Sequence, residues 1–242
     1  MHRFYRMMAL GVGFTLTVAS AAMAEPKVLA GVAYEEVVRG KPAEGAVIPL
    51  LVAFHYSGGS AAESFAHYDE LPGPVRILVP LGAFPKRQGL SYFPVDYSQR
   101  PAAERYRIAH DTAAQMAEFV RAATREYGAR PVVSGISQGG DLSLLLAIHH
   151  PDLIKASFPF APVIPPELIV SDARAKAEGP PIHVMQGDAD AIIDVALTRT
   201  RVAELAEDLP IRLTTYPGLG HDISAEMEAD YSPLINAALR GN

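Results

Sequence analysis

Cysteine is absent from this 242-residue chain, which excludes disulfide frameworks, thiolate nucleophiles and cysteine-built zinc or iron–sulfur sites together. Any covalent nucleophile must present oxygen or nitrogen. Clustered positive charge is missing as well: the longest basic run is Lys86-Arg87, and the formal net charge is −6 with a pI near 5.7. That balance argues against a nucleic-acid partner. No histidine pair has the HExxH spacing of a metal motif, so no metal or other cofactor is expected. Periodic Gly or Pro and solenoid-length repeats are also lacking, which removes fibrous and array architectures. What remains is 49% hydrophobic and 20% charged, enough apolar material for one sizeable core.

The first 24 residues read as a secretory signal. Arg3 and Arg6 give a positive start, Ala9 to Ser20 is uncharged and apolar, and Ala22-Met23-Ala24 is a small-x-small cleavage site. The apolar stretch is too short to span a bilayer, which disfavours an uncleaved anchor, and no second segment is long enough to do so. The expectation is a secreted or periplasmic protein, cleaved after Ala24, with a single domain over residues 25–242 and no stable membrane insertion. Cleavage removes two arginines and no acid, leaving 19 basic against 27 acidic residues, a net −8.

Strand-like runs recur at Val28 to Val38, Val47 to Phe54, Val75 to Val79, Pro131 to Gly135, Ala156 to Phe160, Ile182 to Gln186 and Ile211 to Tyr216. Several are apolar throughout, as strands covered on both faces are. Helical signals separate them. Ser60-Ala61-Ala62-Glu63 is a capping box opening a helix that Pro72 stops. From Pro101 the apolar positions step alternately by four and three until Gly128, keeping one helical face buried. Asp194 is placed to cap a helix to about Leu209, and Ser232-Pro233 to start the last one. Strands alternating with helices predict an α/β fold with a mostly parallel central sheet, helices on both faces and no large lid domain. Chemistry in such sheets collects at the carboxyl ends of the strands.

At one such end stands Gly135-Ile136-Ser137-Gln138-Gly139, a GxSxG between a short strand and an apolar helix. Small residues on either side of the serine permit a sharp strand-to-helix turn. The alternative for Ser137 is a plain helix cap in a Gly-rich turn. A serine hydroxyl is a weak nucleophile and needs a base, and the base needs an orienting acid. Candidates follow in the order Ser, Asp, His: Gly187-Asp188-Ala189-Asp190 ends one strand and Pro217-Gly218-Leu219-Gly220-His221 the next. Asp188, Asp190 and Asp194 share one loop, with Asp190 the foremost of the three candidates. Transition-state charge needs donors, expected at the backbone N–H of Gln138 and of Ser57, the latter in the glycine-containing loop His55-Tyr56-Ser57-Gly58-Gly59.

These stretches resemble the α/β-hydrolase superfamily, and within it the phospholipase/carboxylesterase group that includes acyl-protein thioesterases. The matching segments are Phe54 to Gly59, Gly135 to Gly140, Gly187 to Asp190 and Gly218 to Ser224, in the right order over nearly the whole chain after the leader. The resemblance implies a Ser137, Asp190 and His221 triad and a small-molecule ester or thioester substrate. It also implies an acyl-enzyme route. The first loop of the group has Gly directly after its His, where this chain has Tyr56.

Specificity is expected from Phe84 to Pro101 and Pro159 to Pro181, with Tyr56, Phe84, Tyr92 and Phe93 as substrate-binding candidates and Lys86 or Arg87 available to an anion. Two other readings share these residues. One is a small serine peptidase on the same fold, and the other is a non-catalytic binding protein, suggested by Tyr56 in the oxyanion loop.

Overall fold

The computed structural model describes residues 26–168 and 179–241. The leader of residues 1–24 therefore lies outside the described residues, as do residues 169–178 of the expected pocket border. The elements are β1 (Lys27–Leu29), β2 (Val32–Arg39), β3 (Leu50–Phe54), α1 (Ala61–Ala66), β4 (Val75–Pro80), β5 (Phe84–Lys86), β6 (Gly89–Ser91), α2 (Ala102–Tyr127), β7 (Val132–Ile136), α3 (Gln138–His149), β8 (Ser157–Phe160), β9 (Ile182–Gly187), α4 (Val195–Leu205), β10 (Ile211–Tyr216) and α5 (Ala225–Arg240).

Eight strands form one sheet in the order β1-β2-β4-β3-β7-β8-β9-β10. From β4 to β10 all neighbours are parallel, while β2 is antiparallel to both β1 and β4. Each parallel step needs a crossover, and α2, α3 and α4 supply crossover material on one face. Residues of β3 show how both faces are used. Leu50, Val52 and Phe54 pack into the core shared with α2, α3 and α4, whereas Leu51 and Ala53 pack toward α1 and α5. This alternation within a wholly apolar run is what a strand covered on both sides requires.

Local chemistry sets most helix ends. Ser60 and Glu63 form the reciprocal capping box of α1, although that helix ends at Ala66, ahead of Pro72. Gly128, with φ +70°, closes α2 in the left-handed conformation open to glycine. Two expectations need correction. The run Val28 to Val38 is two strands, because Ala30 and Gly31, both at positive φ, turn the chain into a hairpin. The last helix starts at Ala225 under a Ser224 cap and carries Pro233 in its interior. Met227, Tyr231, Ile235 and Leu239 recur every four residues along its buried stripe. That burial outweighs the hydrogen bond that proline forfeits, a cost of about 3 kcal/mol.

Candidate active site

Strand β7 delivers Ser137 to the carboxyl edge of the sheet. Its φ of +53° and ψ of −115° lie where L-residues are strained. The glycines around it are demanded by space. A Cβ on Gly135 would stand 2.2 Å from the carbonyl oxygen of Gly139, and one on Gly139 would stand 2.3 Å from that of Phe54. The turn is pinned by the Ser137 N–H donating to the Phe160 carbonyl at 2.8 Å. Ser137 precedes α3 but its side chain makes no capping hydrogen bond. Its hydroxyl is therefore not spent on the helix.

The three aspartates separate by role. Asp190 Oδ2 lies 2.8 Å from His221 Nδ1, while Oδ1 accepts the N–H groups of Ile192 at 2.8 Å and Ile193 at 2.9 Å. Burial would raise its pKa, yet the hydrogen bond from His221 and those two amides hold the carboxyl below its ordinary value. An ionised Asp190 makes Nδ1 of His221 the protonated nitrogen and leaves Nε2 with a free lone pair. Asp188 is instead a staple: its Oδ1 accepts the Gly218 N–H at 2.7 Å, tying the two loops together. At Gly187 the loops cross so closely that a Cβ would meet the Leu219 carbonyl oxygen at 2.1 Å. Asp194 caps α4 through the Ala196 N–H at 2.9 Å.

Ser137 and His221 line one cleft of about 580 Å³ together with Tyr56 and Ser57. Among the described residues His221 hydrogen-bonds to Asp190 alone, so no hydrogen bond joins it to Ser137 across the cleft. Gln138 opens α3, so its N–H has no intrahelical partner. The Ser57 hydroxyl is buried and has no hydrogen-bond partner among the described residues. Tyr56 takes the place of a glycine without filling the site. Its hydroxyl donates to Glu63 Oε1 at 2.8 Å, and its ring lies over Gly59, where a Cβ would come within 3.0 Å of it.

Three of the expected specificity residues stand elsewhere. Tyr92 is buried beneath the oxyanion loop, its hydroxyl donating to the Pro80 carbonyl at 2.6 Å and its ring stacked on His55 at 4.3 Å. Phe93 is fully buried against Tyr97. Phe84, half-buried in β5, is outside the cleft lining. The reason is the β5–β6 hairpin, which folds its far end under the strand-to-helix elbow at Ser137 and presents its turn to the cleft.

Two supports escaped the sequence reading. The Gln138 side chain accepts the Tyr92 N–H at 2.7 Å and donates to Ser91 Oγ at 3.1 Å, locking β6 against the elbow. His55, fully buried, bridges the Tyr56 carbonyl through Nδ1 at 2.8 Å and the Gly82 N–H through Nε2 at 3.1 Å. Burial pushes its pKa down, and accepting from Gly82 fixes the neutral, Nδ1-protonated form. Only the position of these side chains inside two sequence motifs signalled them. Among the described residues no group of three or more His, Cys, Asp or Glu side chains is placed to hold a metal ion, and no helix is long and apolar enough to cross a membrane.

A family model named Esterase matches residues 56–207. No curated protein matches the chain. Among solved structures, esterase PE8 superposes with a TM-score of 0.70 at 21% identity, covering 86% of this chain and 99% of its own. A carboxylesterase from Mesorhizobium loti gives 0.70 at 18% identity, with 87% and 97% covered. A phospholipase/carboxylesterase from Dyadobacter fermentans gives 0.60 at 21% identity, with 90% and 99% covered. At these identities the likeness is one of fold, the α/β-hydrolase architecture.

Proposed function

This chain belongs to the Esterase family, and from that premise we propose that it is a carboxylesterase-type hydrolase that cleaves carboxylic ester or thioester bonds through a serine acyl-enzyme. The observation that carries the reading is the 2.8 Å contact of His221 Nδ1 with Asp190, in the cleft that also holds the strained, uncommitted Ser137.

In the proposed cycle Ser137 Oγ attacks the carbonyl carbon and its proton passes to Nε2 of His221. Asp190 holds the imidazole in the tautomer that accepts this proton and stabilises the resulting cation. The carbonyl oxygen becomes an oxyanion that accepts hydrogen bonds from the N–H groups of Gln138 and Ser57, aided by the positive end of α3. Collapse expels the alcohol or thiol, which leaves with the proton from His221. Water then repeats the attack on the acyl-serine, releasing the acid and restoring Ser137. The hydrogen bond of Tyr56 to Glu63, which draws its ring against Gly59, supports the catalytic reading over the non-catalytic one. Export rests on the leader alone: Arg3, Arg6, the apolar Ala9 to Ser20 and the Ala22-Met23-Ala24 site favour a secreted or periplasmic product.

Intact-mass analysis after exposure to a fluorophosphonate tests the triad without knowledge of the substrate. A single adduct on the wild type is expected, absent from Ser137→Ala and formed at least about 100-fold more slowly by His221→Ala. An adduct that persists in Ser137→Ala, or none on folded wild type, overturns the assignment.

A further inference from the structure

Two cations face the cleft that holds Ser137 and His221. These are Lys86 and Arg87, and among the described residues neither side chain has a hydrogen bond or an ion pair. They stand at the turn of the β5–β6 hairpin, where Lys86 pairs with Gly89 and Arg87-Gln88 form the two-residue loop. Arg87 has φ +54°, and Gln88 is not among the described residues of positive φ. A hairpin of that pattern takes glycine at its first loop position, because a Cβ there is strained. Here the position carries a long cationic side chain instead, and strain of this kind persists where surrounding structure enforces it.

The enforcement is visible. Gly58 N–H donates to the Leu90 carbonyl at 2.7 Å and Leu90 N–H to that of Gly59 at 3.0 Å, so the hairpin is bridged to the oxyanion loop. A Cβ on Gly89 would lie 2.3 Å from the Gly59 carbonyl oxygen, leaving no room for the hairpin to slide. The Arg87 stem also rests beside Gly58, whose Cβ would come within 3.3 Å of Arg87 Cδ. The two cations are thus held in register with the oxyanion donors.

The lining beside His221 has different chemistry. His221 must reach the leaving oxygen, and its neighbours in the cleft are Asp222, Ile192 and Ile223, a carboxylate and two apolar side chains. An anion on the leaving group would face that carboxylate. On the hairpin side the acid is Glu63, whose oxygens accept the Tyr56 hydroxyl at 2.8 Å and the Ser60 N–H at 2.9 Å. Glu63 stays anionic, but three donors, the Ser60 hydroxyl at 2.8 Å included, share its charge, whereas among the described residues Lys86 and Arg87 have no hydrogen-bond or ion-pair partner. With the oxyanion directed to Gln138 and Ser57 and the leaving group to His221, the acyl chain takes the side of the hairpin.

We infer that the cleft selects esters whose acyl part ends in a free carboxylate, half-esters of short dicarboxylic acids, with Lys86 and Arg87 holding that carboxylate. The inference rests on the proposed acyl-enzyme route and deepens it by naming the acyl class. Arg87 supplies planar paired donors suited to a carboxylate and Lys86 a second positive charge.

The test compares kcat/KM for monoethyl succinate with that for ethyl butyrate, whose acyl chain has the same length. A ratio taken on one preparation cancels any change in the amount of folded enzyme. The wild type is expected to favour the half-ester about tenfold at low salt, a preference that about 0.5 M NaCl compresses. In Lys86→Gln/Arg87→Gln the ratio should fall to near unity. A wild-type ratio at or below one, or a ratio unmoved by the double substitution, overturns the inference. So does a larger preference for O-acetylglycolate over ethyl acetate, which would place the anion on the leaving side. Ethyl butyrate turnover that depends on Ser137 while the ratio stays flat defeats this inference alone. Loss of the fluorophosphonate adduct defeats the acyl-enzyme route beneath it.

Discussion

Two turns at the cleft place a non-glycine residue at nearly the same positive φ: Ser137 at +53° and Arg87 at +54°. They are held there by different means. Around Ser137 three glycines remove the Cβ atoms that would collide with backbone, and a hydrogen bond to Phe160 pins the turn from the neighbouring strand. The Arg87 turn sits on a two-stranded hairpin outside the main sheet, fastened by one bridge to the oxyanion loop and by Gln138 from below. The elbow is built into the core, while the hairpin is attached to it. A further non-glycine case, Ala30, serves only to reverse the chain between β1 and β2. Positive φ alone therefore does not mark a functional residue. What sets Ser137 and Arg87 apart from Ala30 is that both side chains line one cleft.

The comparison breaks most sharply with Ser137→Gly. The hydroxyl makes no capping bond that would be missed, and glycine relieves the strained φ, so stability should rise. Strain of about 2 kcal/mol relieved, less about 1 kcal/mol of added glycine entropy, predicts a gain of about 1 kcal/mol. Over a domain of this size that raises Tm by about 2–4 °C in a thermal melt. Ester turnover should meanwhile fall by about 10⁴-fold or more, since the proposed nucleophile is gone. A variant that is both less stable and inactive would deny that strain is stored at the elbow.

Gly139→Ala sharpens the same point from the other side. Its Cβ would stand 2.3 Å from the Phe54 carbonyl oxygen and 2.8 Å from that of His55, so β3 and α3 must part for it to fit. The expected cost is about 3 kcal/mol, read as a fall of about 6–12 °C in Tm with loss of activity in the folded fraction. A fall under about 2 °C would mean that the packing at the elbow gives way easily.

The elbow was legible in the sequence because everything that defines it is local: strand, glycines, serine and helix follow within a dozen residues. The same holds for the loops carrying Asp190 and His221, each at the end of an apolar run. Asp190 already stood foremost in the sequence; what the fold adds is the crossing at Gly187, where Asp188 accepts the Gly218 N–H while Asp190 meets His221. The hairpin was far less legible. Tyr92 and Phe93 resemble pocket aromatics in sequence, yet Gln138, 46 residues from Tyr92, draws that segment under the elbow and buries both rings. The turn at Arg87 lacks the glycine that announces such turns, so its geometry emerged only from the fold. Pro233 misled for a related reason: a proline signals a helix start locally, and the buried stripe that carries α5 past it is a tertiary effect.

The smallest predicted effect falls at the attached turn. Arg87→Gly removes a side chain that has no hydrogen bond or ion pair among the described residues, and supplies the residue that the hairpin geometry favours. The strain relieved and the glycine entropy added are the same two quantities as at Ser137, so a gain of about 1 kcal/mol is again expected, about 2–4 °C in Tm. The two variants then share a stability change and differ in chemistry, because the proposed nucleophile is lost in one and only a cation at the cleft wall in the other. Should Arg87→Gly lower Tm instead, the Arg87 stem against Gly58 would contribute more than its backbone costs. The hairpin would then be held by that packing as well as by its bridge to the oxyanion loop.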